Sequence, residues 1–417
     1  MSAVLEFLYR VLALLTLALV IRVVVDAWLE IPYSILLILV GVVISILPID
    51  VGLRLSHDVI MSLVLPIILF NGTIELNRRL LRDNLTVPLV LVVVGIPLAV
   101  VLLGGLTSVA FGLPILISLL LAAIVVPTDP IAILSVFEEI DAPERLSVII
   151  DSESLFNDGV AVVIVNVLLL LIAERPVPTV GLEIAGTAIA DILFVGVGGF
   201  LIGIGLGYAT TQFIHRLPER MAILLVTVLV AYGSYIIAQS VIGVSGILAT
   251  VGAGLFVETT AAEGASIDRD TLEFVRDTWE GGAFLVSTLV HVLIGAQVPI
   301  ASLLEHRRAI LVAVALVLVV RAVAVYSLVG VVNAIATTPT PRSYQHLLVW
   351  GGVHTVVPIA LALGLPAGLP HREFIQAVVF GVAITGALVQ GLLMPTVLRV
   401  TGVRERASQV GPPDGAG

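Results

Sequence analysis

Asp151-Ser-Glu-Ser-Leu-Phe-Asn-Asp158 is followed directly by Gly-Val-Ala-Val-Val-Ile-Val-Asn-Val-Leu-Leu-Leu-Leu-Ile172. Three carboxylates, one amide and two hydroxyls therefore stand at the front of an apolar run that is long enough to cross a bilayer. A carboxylate inside hydrocarbon is costly, and acids in such helices usually belong to an ion or proton pathway. The stretch predicts a membrane helix that carries a transport site.

The composition is that of a membrane protein. Of the 417 residues, 59% are hydrophobic and only 12% are charged, a balance typical of polytopic helical membrane proteins. Cysteine is absent, which excludes disulfides and thiolate metal sites. A net charge of −10 argues against nucleic-acid binding. We therefore expect an all-α polytopic protein in the lipid bilayer, with no cofactor and no enzymatic activity.

Apolar runs of about 17–25 residues predict about thirteen transmembrane helices. They make residues 1–400 a single transmembrane transporter domain, followed by a short polar cytoplasmic tail at 401–417. The seventh span carries glycines at 199, 203 and 207, a spacing that favours close helix packing. The predicted spans are 3–25, 31–47, 57–71, 86–110, 114–137, 146–173, 185–211, 220–241, 244–258, 281–299, 308–332, 346–366 and 374–400.

Arginine sets the predicted orientation. All twenty cationic residues are arginines. With the N-terminus outside, thirteen of them face the cytoplasm, six face the exterior and Arg321 lies within the eleventh span. Because arginine accumulates on the cytoplasmic side of membrane proteins, we expect the N-terminus outside, the C-terminus in the cytoplasm and the chain in the plasma membrane.

Two of the predicted spans contain helix-breaking residues. The fifth includes Pro127-Thr-Asp-Pro130, and the twelfth includes Trp350-Gly-Gly-Val-His-Thr-Val-Val-Pro358. Proline removes a backbone donor and clashes with the preceding turn, so both spans are expected to unwind. Prolines kink many membrane helices. Two interrupted spans of opposite orientation, however, point to the binding site of a transporter.

The acids near these breaks predict a cation site. Ser154 and Asp158 are four residues apart and share a helix face, and Asp129 lies at the break of the preceding span. With the carbonyls freed near Thr128, they form an all-oxygen set suited to a hard cation such as Na⁺ or Li⁺. Because paired carboxylates also hold a proton, the cation and H⁺ would compete for the same oxygens. K⁺ stays open as an alternative.

A second pair of residues faces the neighbouring side of the same helix. Glu153 and Asn157 are four residues apart, about 100° round from Ser154 and Asp158. A buried cation needs a partner, and Glu153 is the partner we expect for Arg321. Because Asn157 is neutral, one proton would move per monovalent cation, which is electroneutral.

Other functions fit the sequence less well. Gly243-Val-Ser-Gly246 matches a pattern of intramembrane serine proteases, with Ser245 as nucleophile and His354 or His291 as base. A protease, however, needs none of the membrane acids. A channel is disfavoured because a closed carboxylate cage would trap the ion. The acids could also act as interhelical polar contacts.

The chain resembles prokaryotic antiporters of the monovalent cation:proton antiporter-1 group, the NhaP type related to animal sodium/hydrogen exchangers. The Glu-Ser-x-x-Asn-Asp pattern is highly specific for this group. The matching stretches are Pro127-Thr-Asp-Pro130, Glu153-Ser-Leu-Phe-Asn-Asp158-Gly, Gly243-Val-Ser-Gly-Ile-Leu-Ala249, Arg321 with Val325-Tyr326, and Trp350-Gly-Gly352 leading to Ile359-Ala-Leu-Ala362.

The resemblance implies a homodimer of thirteen-helix subunits, each with a six-helix core that moves like an elevator against a dimer domain. It implies two inverted repeats with crossed broken helices in spans five and twelve: a first repeat at about 3–173, a linking span at 185–211 and a second repeat at 220–400. The implied roles are an ion site at Asp129, Asp158, Ser154 and the Thr128 main chain, with Asn157 supporting it and Glu153 paired with Arg321.

One departure from the family pattern concerns span twelve. Relatives usually carry Gly-Gly-Leu-Arg-Gly where this chain has Gly351-Gly-Val-His354-Thr355. A permanent cation is thereby replaced by a group that titrates near neutral pH. We expect His354 to modulate activity through its protonation.

Overall fold

The computed structural model describes residues 3–28, 32–47, 51–129, 137, 142–174, 181–214, 216–217, 219–263 and 269–403. Within these ranges all regular secondary structure is helical. The helices are α1 (Ala3–Trp28), α2 (Tyr33–Ile46), α3 (His57–Glu75), α4 (Arg78–Asn84), α5 (Thr86–Phe111), α6 (Ile115–Val125), α7 (Glu144–Ala173), α8 (Leu182–Ile214), α9 (Arg220–Ile242), α10 (Gly246–Glu263), α11 (Arg269–Ala296), α12 (Ile300–Glu305), α13 (Arg307–Ile335), α14 (Arg342–Trp350), α15 (Val356–Leu363) and α16 (Arg372–Val400).

The helices have the length and hydropathy of membrane spans. Among the described residues, nine helices are long and apolar enough to cross a bilayer, and three further apolar helices are shorter. Every predicted span falls at least in part on one of the sixteen helices, and the all-helical, multi-pass prediction is confirmed. The count of thirteen crossings stays a prediction. Of the predicted tail, the structure describes only 401–403.

One predicted boundary is wrong. The tenth span is predicted to begin at residue 281, but α11 already begins at Arg269. Thr271, Val275 and Trp279 are buried at a spacing of four residues, while the charged side chains between them are exposed. The first half of α11 is thus amphipathic and continuous with the apolar half that follows it. Residues 264–268 lie outside the described ranges.

The helices assemble into two compact units, each built from segments that are distant in sequence. The first unit comprises residues 1–54, 79–154 and 291–417. Its core is aliphatic and joins side chains of α2, α5, α7, α13, α14 and α16. This unit contains both interrupted spans. The buried core residues include Ile38, Leu91, Leu146, Ile149, Val325, Val329, Leu347, Leu348 and Met394.

The second unit comprises residues 55–78 and 155–290. Glycines of α8 let α10 approach closely, because a methyl group at Gly203 would lie 2.0 Å from the carbonyl oxygen of Ala249. Gly199 stands in the same relation to Ser245 at 2.3 Å, and Gly207 to Ala253 at 2.8 Å. The spacing of these glycines thus produces the close packing that the sequence predicted.

Gly203→Ala is expected to destabilise the second unit by about 1–3 kcal/mol, because the added methyl group must push α8 away from the α10 backbone. The change is measured as the thermal unfolding midpoint of the purified protein in detergent. Gly205→Ala is the matched control, since a methyl group there meets no atom within 4 Å. Equal midpoints for the two variants would contradict the prediction.

Candidate functional site

The first interrupted span unwinds where its prolines begin. Helix α6 ends at Val125, and residues 126–129 are not helical. Pro127 has no N–H with which to continue the helix. Thr128 is buried and Asp129 is half-buried. Pro130 and the residues up to 136 lie outside the described ranges. The break therefore presents main-chain carbonyls and one carboxylate inside the first unit.

The second interrupted span has two half-helices in the same unit. Helix α14 ends at Trp350, residues 351–355 form the break, and α15 begins at Val356. The sequence placed the cause of this break at Pro358, but Pro358 lies inside the first turn of α15. Proline is tolerated there because the first N–H groups of a helix have no intrahelical partner. The Gly351-Gly352 pair ends the first half-helix instead.

Three hydrogen bonds join the two breaks. The Asp129 N–H donates to the Val353 carbonyl at 2.6 Å. The buried His354 ring places Nδ1 2.7 Å from the Pro127 carbonyl oxygen. The Thr355 hydroxyl donates to Oδ2 of Asp129. The backbone groups freed by unwinding one span are thus satisfied by the other, as buried polar groups require.

Helix α7 brings a hydroxyl to the first break. Ser154 is buried, and its hydroxyl donates to the Thr128 carbonyl at 2.7 Å. The structure therefore places Ser154, Thr128 and Asp129 together. Asp158 follows one turn later on α7 and is half-buried, and Asn157 beside it is buried. Both belong to the segment assigned to the second unit.

Arg321 lies against Glu153, the partner that the sequence proposed for it. The guanidinium donates to both carboxylate oxygens, at 2.8 Å from Nη1 to Oε1 and 2.6 Å from Nη2 to Oε2. It also donates to the Leu348 carbonyl near the end of α14. Glu153 is 2% exposed. The bidentate bond ties α13 to α7, and the bonds to Leu348 tie α13 to the end of α14.

A reciprocal pair holds the last residue of α14. The Trp350 indole donates to the Gln390 carbonyl at 2.9 Å, and the Gln390 amide donates to the Trp350 carbonyl at 2.8 Å. Gln390 closes a π-helical turn at Gly386–Gln390 in α16. This turn lies beside the break, because a methyl group at Gly386 would be 3.9 Å from the backbone nitrogen of His354. Helix α16 thereby supports the second break.

The polar side-chain and backbone atoms around the breaks that could coordinate a cation are mainly oxygens. Ser154 uses its hydroxyl proton, not a lone pair, in the bond to the Thr128 carbonyl. Hydroxyl and carbonyl oxygens each carry two lone pairs, so the oxygens of this pair are of the type that can coordinate a cation. Carboxylate, hydroxyl and carbonyl oxygens suit hard cations. Over the described ranges, no group of three or more histidine, aspartate or glutamate side chains is placed to hold a metal ion. The possible cation ligands at the breaks are therefore a combination of carboxylate, hydroxyl and carbonyl oxygens.

Sequence reasoning missed Thr355 and Gln390. Both bond across more than thirty-five residues of chain, Thr355 to Asp129 and Gln390 to Trp350. A polar residue inside an apolar span was the available signal for each. The signal identifies a residue that needs a partner, but it does not say which partner.

Ser245, the nucleophile of the protease alternative, has a structural position. It precedes the first residue of α10, and its hydroxyl accepts the Leu248 N–H at 3.2 Å. This is the bond of an N-terminal capping residue. The Ser245 N–H donates to the Val195 carbonyl at 3.1 Å, which fixes the approach of α8 to α10. The serine is therefore accounted for by helix capping and packing.

Relatives of known class match most of the chain. The family model described as "Sodium/hydrogen exchanger, transmembrane" matches residues 12–400. The Na(+)/H(+) antiporter ApNhaP of Aphanothece halophytica is 34% identical over 345 residues, which cover 82% of this chain and 64% of that protein. The Na(+)/H(+) antiporter NhaH of Halobacillus dabanensis is 30% identical over 82% of this chain and 83% of its own length.

A solved structure shares the fold. The sodium proton antiporter MjNhaP1 from Methanocaldococcus jannaschii superposes with a TM-score of 0.75 over 98% of this chain and 99% of that one, at 19% identity. The chain spans 64% of the length of the first relatives it matches. The resemblance drawn from the motifs is confirmed: the chain belongs to the sodium/hydrogen exchanger family.

Proposed function

We propose that this protein is a secondary antiporter that exchanges Na⁺ for H⁺ across the membrane. The observation that carries the proposal is the junction of the two breaks, where Asp129, the Thr128 carbonyl and the Ser154 hydroxyl lie together in an apolar unit. Acids inside membrane spans mark ion and proton pathways. Two interrupted helices are a recurrent way for transporters to build such sites. The names of the relatives agree with this chemistry.

The proposed site holds one monovalent cation on Asp129, Asp158, the Ser154 hydroxyl and the Thr128 main chain. Ser154 and Asp158 are one turn apart on α7, so both face the same side of that helix. When the cation leaves, the carboxylates take up a proton, because nearby acids in an apolar site favour protonation. The cation and the proton thus occupy the same oxygens in turn, and gradients drive the exchange.

The neighbouring residues have supporting roles in this scheme. Asn157 supports the site, and the Glu153–Arg321 pair holds α7 and α13 in place. Because Asn157 carries no proton, one H⁺ moves per Na⁺ or Li⁺ and the exchange is electroneutral. The site reaches the two sides in turn by an elevator-like movement of a core domain against a dimer domain.

We place the protein in the plasma membrane as a homodimer, with the N-terminus outside and the C-terminus in the cytoplasm. The arginine distribution supports this orientation. The exchange requires monovalent cations, protons and the bilayer, and the scheme includes no cofactor and no enzymatic step. A K⁺/H⁺ exchanger with the same mechanism is the alternative, since oxygen sites for K⁺ use the same residue types.

Proteoliposomes with a pH gradient and an enclosed fluorescent pH dye test the proposal. Addition of Na⁺ or Li⁺ should dissipate the gradient, and K⁺ should do so far less. An imposed membrane potential should leave the initial rate unchanged if the exchange is electroneutral. A gradient that persists with Na⁺ and Li⁺ but collapses with K⁺ would replace the proposal by its alternative. No response to any of the three cations would refute both.

His354 is proposed to modulate transport from the junction of the breaks. His354→Gln removes the imidazole ring and His354→Arg replaces it with a permanent cation. Both are expected to displace the pH profile by about half a pH unit or more, equivalent to the loss of one hydrogen bond of about 1 kcal/mol. The profile is measured as initial rate against pH in proteoliposomes.

The matched control is His306→Gln. The His306 ring also places Nδ1 3.0 Å from a backbone carbonyl oxygen, but that carbonyl belongs to Ser302 in α12, the short helix that ends just before His306. We expect this variant to keep the wild-type pH profile. Unchanged profiles for both His354 variants would remove His354 from the proposal.

A further inference from the structure

Thr355 occupies a helix-capping position without performing the capping bond. It precedes the first residue of α15, where a threonine hydroxyl commonly accepts a backbone N–H from the first turn. Its side chain makes no such bond to α15. The hydroxyl instead donates to Oδ2 of Asp129, 226 residues earlier in the chain. Thr355 is 4% exposed, so this bond lies inside the first unit.

The local sequence explains why the hydroxyl is directed away from its own helix. A capping side chain accepts from the second or third residue of the helix. The third residue of α15 is Pro358, which has no N–H. One of the two usual partners is therefore absent, while the carboxylate of Asp129 is a stronger acceptor for a hydroxyl than a neutral group. The missing N–H of Pro358 thus removes one possible donor to the hydroxyl, and the hydroxyl uses its own proton for the Asp129 carboxylate.

The junction fixes Asp129 from outside its own span. Its N–H is bonded to Val353, and the carbonyl of Pro127 two residues earlier is bonded to His354. These two bonds hold the backbone, whereas the bond from Thr355 restrains the rotation of the carboxylate itself. The side-chain torsion of an aspartate is otherwise broad. The Thr355 hydroxyl therefore helps to set where the two carboxylate oxygens point.

We propose that Thr355 is a specificity-determining residue of the cation site, whose hydroxyl fixes the Asp129 carboxylate in an orientation suited to small monovalent cations. The inference rests on the proposed exchange function and deepens it. Smaller cations demand shorter and more regular oxygen distances than larger ones, which tolerate a flexible set. A carboxylate that has lost this restraint therefore disfavours Li⁺ and Na⁺ more than K⁺. Thr355 acts through Asp129 as a positioning residue.

The test compares Thr355→Val, which keeps the branched shape and removes the hydroxyl, with Thr355→Ser, which keeps the hydroxyl. Apparent KM values for Na⁺ and Li⁺ and the inhibition constant of K⁺ against Na⁺ exchange are measured in proteoliposomes. For Thr355→Val we expect both KM values to rise by about tenfold, the effect of one hydrogen bond to a charged group. The K⁺ constant should change by less than about threefold, and Thr355→Ser should restore wild-type values.

Thr107→Val is the matched control. Thr107 is equally buried in the first unit, but its hydroxyl donates to the Leu103 carbonyl within its own helix. This variant should keep wild-type KM values. An equal rise of the Na⁺ and Li⁺ KM values and of the K⁺ inhibition constant in Thr355→Val would show a packing role and overturn the inference. Equal KM values for the valine and serine variants would do the same.

The same experiment separates the inference from the function on which it rests. If the wild-type protein exchanges Na⁺ and the KM values of Thr355→Val are unchanged, the antiporter function is supported and only the role of Thr355 is refuted. A wild-type protein that exchanges no Na⁺ or Li⁺ would overturn both. Purified Thr355→Val with a wild-type thermal midpoint excludes general unfolding as the cause of a raised KM.

Discussion

Replacement of Asp158 by asparagine is expected to abolish cation-driven proton movement in proteoliposomes. The variant keeps the size of the side chain but can neither neutralise a cation nor carry a proton. Removing one charge from a buried interaction of this kind costs about 2–5 kcal/mol. The exchange rate should therefore fall by roughly two to three orders of magnitude, to the level of empty liposomes. Asp129→Asn should have a similar effect.

The control for Asp158→Asn makes the same chemical change elsewhere in the same unit. Asp191 lies on α8 and is exposed, so Asp191→Asn should transport like the wild type. The thermal midpoint of Asp158→Asn should stay close to that of the wild type, because the two side chains have nearly the same size and shape and Asp158 is only half-buried. Exchange at more than a tenth of the wild-type rate in Asp158→Asn would exclude Asp158 as the carrier of both ions.

Breaking the Glu153–Arg321 pair is expected to give the largest loss of stability. Glu153→Gln leaves a buried guanidinium without its counter-charge, and Arg321→Met leaves a buried carboxylate. Removing one partner of such a pair costs about 3–5 kcal/mol. Both single variants should therefore unfold at much lower temperature in detergent, and much of the protein should be lost during purification.

The double variant Glu153→Gln with Arg321→Met tests whether the stability lost in each single variant comes from the interaction between the two charges. Because no uncompensated charge remains, it should recover much of the stability lost in either single variant. The surface pair Glu6–Arg10 on α1 is the comparison. Breaking it by Glu6→Gln should cost less than about 1 kcal/mol, because both side chains are partly open to solvent. If the losses of stability in the two single variants simply add in the double variant, the two residues contribute to stability independently and the prediction is wrong.

The sequence carried enough information to locate the breaks and the central ion pair. Pro127 removes a backbone donor by covalent structure, and two successive glycines at 351 and 352 weaken a helix wherever they occur. Arg321 required an acidic partner for electrostatic reasons, and Glu153 faced away from the other acids by helix geometry. In each case a local rule of chemistry applies regardless of the rest of the fold.

The contacts between the breaks could not be predicted in this way. The bonds of His354 to Pro127 and of Thr355 to Asp129 join residues more than two hundred positions apart. No periodicity encodes such a distance, because it depends on how several helices pack together. The start of α11 was missed for a different reason, since a hydropathy average hides an apolar stripe on a charged helix.

The chain also carries its own optical reporter. It has three tryptophans, at positions 28, 279 and 350. Trp350 is the last residue of α14, and its indole donates to the Gln390 carbonyl in α16. With the other two replaced by phenylalanine, fluorescence from that ring would register any rearrangement of the second break in real time. Emission could then be followed during rapid mixing with salt, without attaching a dye.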